Sequence, residues 1–211
     1  MRVLTVCGDH WHPVETVRGG LAPLEGGEWS FDWLEDGSRW AEVHLADYAV
    51  VLLSKSDNVT AKDETPWVTA AVQQALSDYV RGGGGLLAVH SGTVYKEVPP
   101  LRELLGGAVD HHPPQCAVTI APTAAEHPLT AGVTPFTVKD EHYFMLFDAN
   151  GADVFLQSSS EHGSQPAGWT RREGKGRLCV LTPGHNLEVW LQPSYQALLR
   201  NALRWCGRIP A

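Results

Sequence analysis

The hydrophobic positions of this chain come first as short, unbroken apolar runs that stop on turn residues. Residues 3–7, 49–53, 86–89 and 178–181 are of this kind, with Thr5 the one polar residue within them. Four or five consecutive apolar residues fit a strand covered on both faces, as in a parallel sheet, where an alternating pattern would leave one face to water. Between the second and third runs the period becomes helical. Thr65 is placed to N-cap, Pro66 takes the first helical position, and Trp67, Val68, Ala71, Val72, Ala75, Leu76, Tyr79 and Val80 follow the i, i+3, i+4 spacing until Gly82. Strand, helix, strand is the crossover unit of doubly wound α/β folds. A short helix is predicted over Pro99–Leu105, stopped by Gly106 and Gly107, and an amphipathic helix over residues 195–206, stopped by Gly207.

The middle of the chain has a different pattern. Residues 115–172 alternate more, with strands predicted at 116–120, 136–138, 154–157 and 168–171 between clusters of Pro, Gly and Ser. They are expected as antiparallel additions to the same sheet, because no linker sets them apart, and all 211 residues are read as one domain. The glycines 82–85 precede a strand instead of joining strand to helix, so they read as a helix stop and not as a phosphate-binding loop.

Composition narrows the function classes. With 16 basic against 24 acidic residues the formal charge is −8, which opposes a nucleic-acid partner. No segment approaches the roughly 18 apolar residues of a membrane span, and the N-terminal apolar run is too short for a signal peptide, so a cytoplasmic protein is expected. Cys7, Cys116, Cys179 and Cys206 form no CxxC pair and read as reduced thiols. The tryptophan-rich segment 29–40 fits either a core or a homo-oligomer contact.

In an open parallel sheet, ligands bind beyond the carboxyl ends of the strands. The four apolar runs are followed there by Gly8-Asp9-His10-Trp11-His12, by Ser54-Lys55-Ser56-Asp57-Asn58, by His90-Ser91-Gly92-Thr93 and by Thr182-Pro183-Gly184-His185-Asn186. Two further clusters, Asp110-His111-His112-Pro113 and Asp140-Glu141-His142-Tyr143, put imidazole beside carboxylate. These groups serve general acid–base catalysis near neutral pH, and they also serve metal binding. We therefore expect His90, His185 and Glu141 as catalytic groups, with Asp9, His10, His12, Ser91, His112, His142 and Asn186 binding substrate around them. The alternative use of the same cluster is a divalent metal such as zinc on His90, His112 and His185; the sequence alone establishes no cofactor. Trp11, Tyr143 and Trp169 are candidates to stack on a ring, while His44, His127 and His162 read as structural.

The order of these motifs carries a resemblance. GDHWH at 8–12, GGGLLAVHSG at 83–92, DHHP at 110–113, HPLTAGV at 127–133, DEHY at 140–143 and PAGWTRREGKGRLCVLTPGHN at 166–186 together resemble the ThuA-like, or trehalose-utilisation, family over nearly the whole chain. The resemblance implies a flavodoxin-like three-layer α/β sandwich of the class I glutamine amidotransferase type, with a mostly parallel central sheet and antiparallel additions. It also implies a small-molecule carbohydrate ligand, a disaccharide or 3-keto-sugar. The amidotransferase relatives carry a cysteine nucleophile in the turn after the third strand, whereas this chain has His90-Ser91-Gly92, so it is not expected to be a glutaminase. Ser91 does not stand in a GxSxG elbow. A sugar or keto-sugar lyase, isomerase or hydrolase is one expectation, and a non-catalytic sugar-binding or regulatory module on the same fold is the other.

Overall fold

The computed structural model describes residues 1–123, 126–148 and 150–209. In chain order the elements are β1 (Arg2–Cys7), α1 (Val14–Leu21), β2 (Ser30–Leu34), β3 (Val50–Ser54), α2 (Ala70–Gly82), β4 (Gly85–Val89), α3 (Pro99–Leu105) and β5 (Gly107–His111). They continue as β6 (Cys116–Pro122), β7 (Phe136–Asp140), β8 (Phe144–Phe147), β9 (Asp153–Ser160), β10 (Gly163–Glu173), β11 (Gly176–Leu181), α4 (Leu187–Trp190) and α5 (Pro193–Cys206). Nine strands form one sheet in the order β2-β1-β3-β4-β11-β10-β9-β6-β7, and β5 pairs with β8 in a separate ribbon. The first five are mutually parallel; from β11 to β7 every pairing is antiparallel.

Both faces of the parallel half are apolar, which explains the unbroken runs. Val3, Val50, Leu52, Leu87, Val89, Cys179 and Leu181 pack with Val17 and Leu21 of α1 and Leu198, Leu199 and Leu203 of α5 on one face. Leu4, Val6, Val51, Leu53, Leu86, Ala88, Leu178 and Val180 pack with Val72, Leu76 and Val80 of α2 and Leu101 and Leu104 of α3 on the other. The three-layer α/β sandwich follows, since each strand residue must be covered from one side or the other. Trp29 belongs to the core and Trp40 packs against Trp67 at 5.6 Å between ring centroids. Among the described residues, no helix is long and apolar enough to cross a membrane.

The predicted start of the helix after the second run is corrected by four residues. α2 begins at Ala70, with Thr69 as N-cap accepting from the Val72 amide at 3.3 Å. Thr65, Pro66, Trp67 and Val68 stay outside it because other partners hold that stretch. Asp57 Oδ1 accepts from the Trp67 and Val68 amides at 3.0 and 2.9 Å, and the Trp67 indole donates to the Ser56 carbonyl at 2.9 Å. Capping by a distant aspartate thus overrides the local helical signal.

Candidate functional site

The site lies where β1, β3, β4 and β11 end. The turn after β1 is organised by Asp9, which is buried and accepts from the Trp11 and His12 amides at 2.8 and 2.9 Å and from the Ser56 amide at 2.9 Å. Burial works to raise the Asp9 pKa, but the hydrogen bond and charge of His12 together with these amides outweigh it and hold the carboxyl at about 2. Lys55, at the end of β3, is fully buried and donates to the carbonyls of Gly8 and, at 3.0 Å, Glu35. It ties together the ends of β1, β2 and β3.

At the end of β4 the chain turns sharply. His90 has φ +46°, a left-handed conformation that a side-chain-bearing residue adopts at a cost. The turn is compressed further at Gly92, where a Cβ would lie 2.0 Å from the Leu53 carbonyl oxygen. At the end of β11, the turn bearing His185 is held by Asp140, whose carboxylate accepts from the Gly184 and His185 amides, each at 2.9 Å. Asp140 is fully buried, and burial pushes its pKa up to about 7 against the pull of these amides.

These turns bring His12, His90, Glu141 and His185 together, with one ligand atom from each lying within 4.8 Å of the others. Each imidazole presents a definite nitrogen. His12 engages Asp9 through Nδ1, at 2.8 Å to Oδ1 and 3.0 Å to Oδ2, and His90 donates from Nδ1 to the Thr182 carbonyl at 2.9 Å. That leaves Nε2 of His12, Nε2 of His90 and Nδ1 of His185 buried without a hydrogen-bond partner. His90 Nε2 and His185 Nδ1 lie 3.4 and 3.2 Å from the same Glu141 oxygen. Glu141 is thus an ion-pair contact for two of these nitrogens, whereas Nε2 of His12 has none, and an orphaned buried nitrogen of that kind is rare unless something binds it. Burial lowers the His90 pKa to about 4, so this ring is neutral at physiological pH, whereas Glu141 raises that of His185. Burial also works to raise the Glu141 pKa, but the two histidines outweigh it and hold the carboxyl well below the carboxylate range. A partly buried carboxylate facing three imidazole nitrogens is a donor set suited to a transition-metal cation.

The other expected site residues are distributed around this group. His112 is not among the four: its Nε2 lies 3.8 Å from Glu141, its Nδ1 donates to the Pro113 carbonyl at 2.9 Å, and it is half exposed on the rim. His111 instead turns to Asp110 and stacks on Phe144. His10 is exposed, with Nδ1 on the Ala61 carbonyl at 3.2 Å, and borders a neighbouring cavity. His142 is buried between the hydroxyls of Ser160 and Ser158, at 2.8 and 3.0 Å, with neither ring nitrogen open to a ligand. Ser91 is fully buried and outside the cavity lining, and the Asn186 amide is spent on Gln115 and the Lys139 carbonyl. Two of the three stacking candidates are corrected: Trp169 is buried with its indole on the Leu105 carbonyl, and Tyr143 is buried against the His90 ring at 4.2 Å. Only Trp11 exposes its ring, at 66%. His127, read as structural, accepts from the Leu129 amide and stacks on Phe155.

A cavity of about 520 Å³ opens over the group, lined on its polar side by His12, Ser56, Asp57, Asn58, His112, Glu141 and His185. Trp11, Val94, Val109 and Tyr143 supply the apolar lining. Asp140 is the positioning group that the sequence does not reveal, because nothing in the one-dimensional pattern connects DEHY to the Gly184 turn.

The profile of the family described as trehalose utilisation, ThuA, matches residues 9–206. No curated protein sequence matches the chain. A ThuA-like protein from Bacteroides uniformis is similar in structure, with a TM-score of 0.77 at 21% identity over 98% of this chain and 91% of that one. A glutamine amidotransferase from Thermotoga maritima has a TM-score of 0.65 at 16% identity over 98% of both chains. A protein described as cytoplasmic, from Salmonella typhimurium LT2, has a TM-score of 0.65 at 19% identity over 99% of this chain and 98% of that one. At these identities the structural likenesses speak for the shared α/β fold, whereas the profile match spans nearly all of the sequence. The chain belongs to the ThuA, trehalose-utilisation, family.

Proposed function

We propose that the protein is a metal-assisted enzyme of carbohydrate utilisation that moves a proton at the carbon beside the carbonyl of a keto-sugar. The observation that carries this reading is the convergence of the His12, His90 and His185 ring nitrogens on the Glu141 carboxylate, none of them with another hydrogen-bond partner. His12, His90, Glu141 and His185 would hold the cation. Their fit rests on the donor chemistry, three imidazole nitrogens and one carboxylate, and on the outer hydrogen bonds to Asp9 and the Thr182 carbonyl that fix two of the rings. A divalent cation there would supply Lewis-acid polarisation of a bound carbonyl oxygen.

The chain's own groups account for the proton. With Nδ1 of His112 donating to the Pro113 carbonyl, the neutral form of the ring carries its lone pair on Nε2, and the ring lines the cavity and stays accessible. It is the base in this reading, taking the proton and returning it. Val94, Val109 and Tyr143 restrict water around the reacting carbon. The family's link to trehalose supports a sugar as substrate. A cytoplasmic location is part of the proposal, supported by four free cysteines and by the description of the Salmonella neighbour.

The test pairs elemental analysis of untagged protein with proton exchange in deuterated water, using 3-keto-glucose and 3-keto-trehalose. One equivalent of metal is expected, lost in His90→Ala, with deuterium incorporated beside the carbonyl by wild type and not by His112→Asn. A metal-free protein that still exchanges would move the chemistry to the imidazoles alone. A protein that neither binds metal nor exchanges would leave the non-catalytic sugar-binding module in its place.

A further inference from the structure

We infer that Trp11, Asp57 and Asn58 form a recognition subsite for an uncharged, ring-form sugar, and that it sets which substrates reach the histidine–Glu141 group. The inference rests on the sugar reading above and goes beyond it by assigning the residues that select the ring. Trp11 is the most exposed of the large apolar side chains, and it lines this cavity. Its position is not left to chance: its amide donates to Asp9 Oδ1 at 2.8 Å, and the His10 ring makes a T-shaped contact with the indole at 4.6 Å between centroids. The carboxylate that orients His12 therefore also anchors the tryptophan. An indole exposed at the mouth of a polar cavity is what the apolar C–H face of a sugar ring stacks on.

Asp57 and Asn58 line the same cavity and have half their hydrogen-bonding capacity committed elsewhere. Asp57 spends Oδ1 on the Trp67 and Val68 amides, and its Oδ2 has no hydrogen-bond partner among the described residues. Asn58 Oδ1 accepts from the Ser56 hydroxyl, and the two hydrogens on its Nδ2 are likewise uncommitted among the described residues. The wall thus offers one acceptor that cannot donate beside one donor that cannot accept. Adjacent sugar hydroxyls each donate and accept, so a vicinal pair satisfies both at once. The Asp57 carboxylate repels an anionic group placed against this wall, which disfavours a sugar phosphate there relative to a neutral sugar. A pocket polar group that a ligand leaves unpaired costs affinity, so short ketones lacking the hydroxyl pair are disfavoured as well.

The test is calorimetric titration of trehalose, glucose and glucose 6-phosphate into wild type, Trp11→Ala, Asp57→Asn and Asn58→Ala. Asp57→Asn is the sharpest variant, because its retained carbonyl oxygen can still accept from the Trp67 and Val68 amides while the second position changes from acceptor to donor. Wild type is expected to bind a neutral sugar in preference to glucose 6-phosphate, and each variant is expected to weaken that binding about tenfold or more. Metal content and thermal unfolding should remain as in wild type. Unchanged affinity in Trp11→Ala and Asp57→Asn, preference for the phosphate, or no sugar binding by wild type would each overturn the subsite. Binding is read without turnover, so a protein that loses sugar affinity in the variants yet never exchanges a proton would keep the subsite and lose the enzyme reading. Proton exchange that persists with unaltered KM in the variants would do the reverse.

Discussion

His12 Nδ1 lies 2.8 Å from Oδ1 of Asp9 across a three-residue turn, and that contact decides which nitrogen of the ring faces Glu141 and its companions. The same carboxylate accepts the amides of Trp11, His12 and Ser56, so one buried group sets the shape of the turn, the orientation of the ring and the join between the ends of β1 and β3. Geometry and basicity at the centre are therefore coupled through Asp9.

Replacing Asp9 with Asn should separate these roles. The amide oxygen can still accept from backbone, but a neutral group in place of the carboxylate supports a ligating imidazole less well. Metal affinity is expected to fall about 10–100-fold, as typically follows loss of an outer-sphere carboxylate, with the fold retained. Competition against a graded chelator series measures the affinity, and circular dichroism checks the fold. Undiminished affinity would show that the Asp9 charge does not tune the centre and would leave it only the acceptor role that asparagine keeps.

Asp9 also predicts how the metal-stripped protein responds to acid. Its pKa is about 2 in the folded chain against 3.8 for a free side chain, so the unfolded state takes up the proton first. The stabilisation is fully present above pH 3.8 and is lost as pH falls through 2. A gap of this size corresponds to about 2 kcal/mol. Urea unfolding between pH 5 and 2 should show a loss in wild type that Asp9→Asn lacks over that window. Parallel curves for the two proteins would contradict the assignment.

Lys55 supports the site from below. Its fully buried ammonium holds the Gly8 and Glu35 carbonyls, and burial lowers its pKa because the charged form loses water. Lys55→Met keeps the apolar stem and removes both bonds, leaving two main-chain oxygens unsatisfied. Relief from burying a charge offsets only part of that, so a net destabilisation of about 2–4 kcal/mol is expected in urea unfolding. A variant as stable as wild type would show that water takes over both carbonyls.

Much of this arrangement was legible because both faces of the parallel strands are covered. Unbroken apolar runs locate β1, β3, β4 and β11, and the residue after each run is then at the sheet's ligand-facing edge. Pairing among distant groups was not legible. The sequence puts His112 in the ligand set and His12 among the substrate-binding groups, whereas the structure groups His12 with His90, Glu141 and His185, and only Pro113 and Asp9, each taking up one ring nitrogen, assign the two histidines to these places. The helix expected from Thr65 fails for a similar reason, since Asp57 takes the Trp67 and Val68 amides from a loop ten residues upstream. The β5–β8 ribbon has no signal of its own, because β5 runs into the Asp110-His111-His112-Pro113 cluster and β8 is a four-residue strand directly after Tyr143.

The turn after β4 offers a test in which fold and function respond oppositely. Gly92→Ala would place a methyl 2.0 Å from the Leu53 carbonyl, a rigid backbone atom, so the turn must move and His90 with it. A loss of more than about 3 kcal/mol, or failure to fold, is expected. At His90 the direction reverses. Its φ of +46° suits glycine and strains alanine, so metal-free His90→Gly should be more stable than His90→Ala by about 1 kcal/mol, although glycine normally costs stability elsewhere. Both variants remove the same imidazole and should lose metal equally. Urea unfolding and elemental analysis on the pair decide the matter: equal stabilities would mean that the turn relaxes once the ring is gone, and metal retained by either would remove His90 from the ligand set.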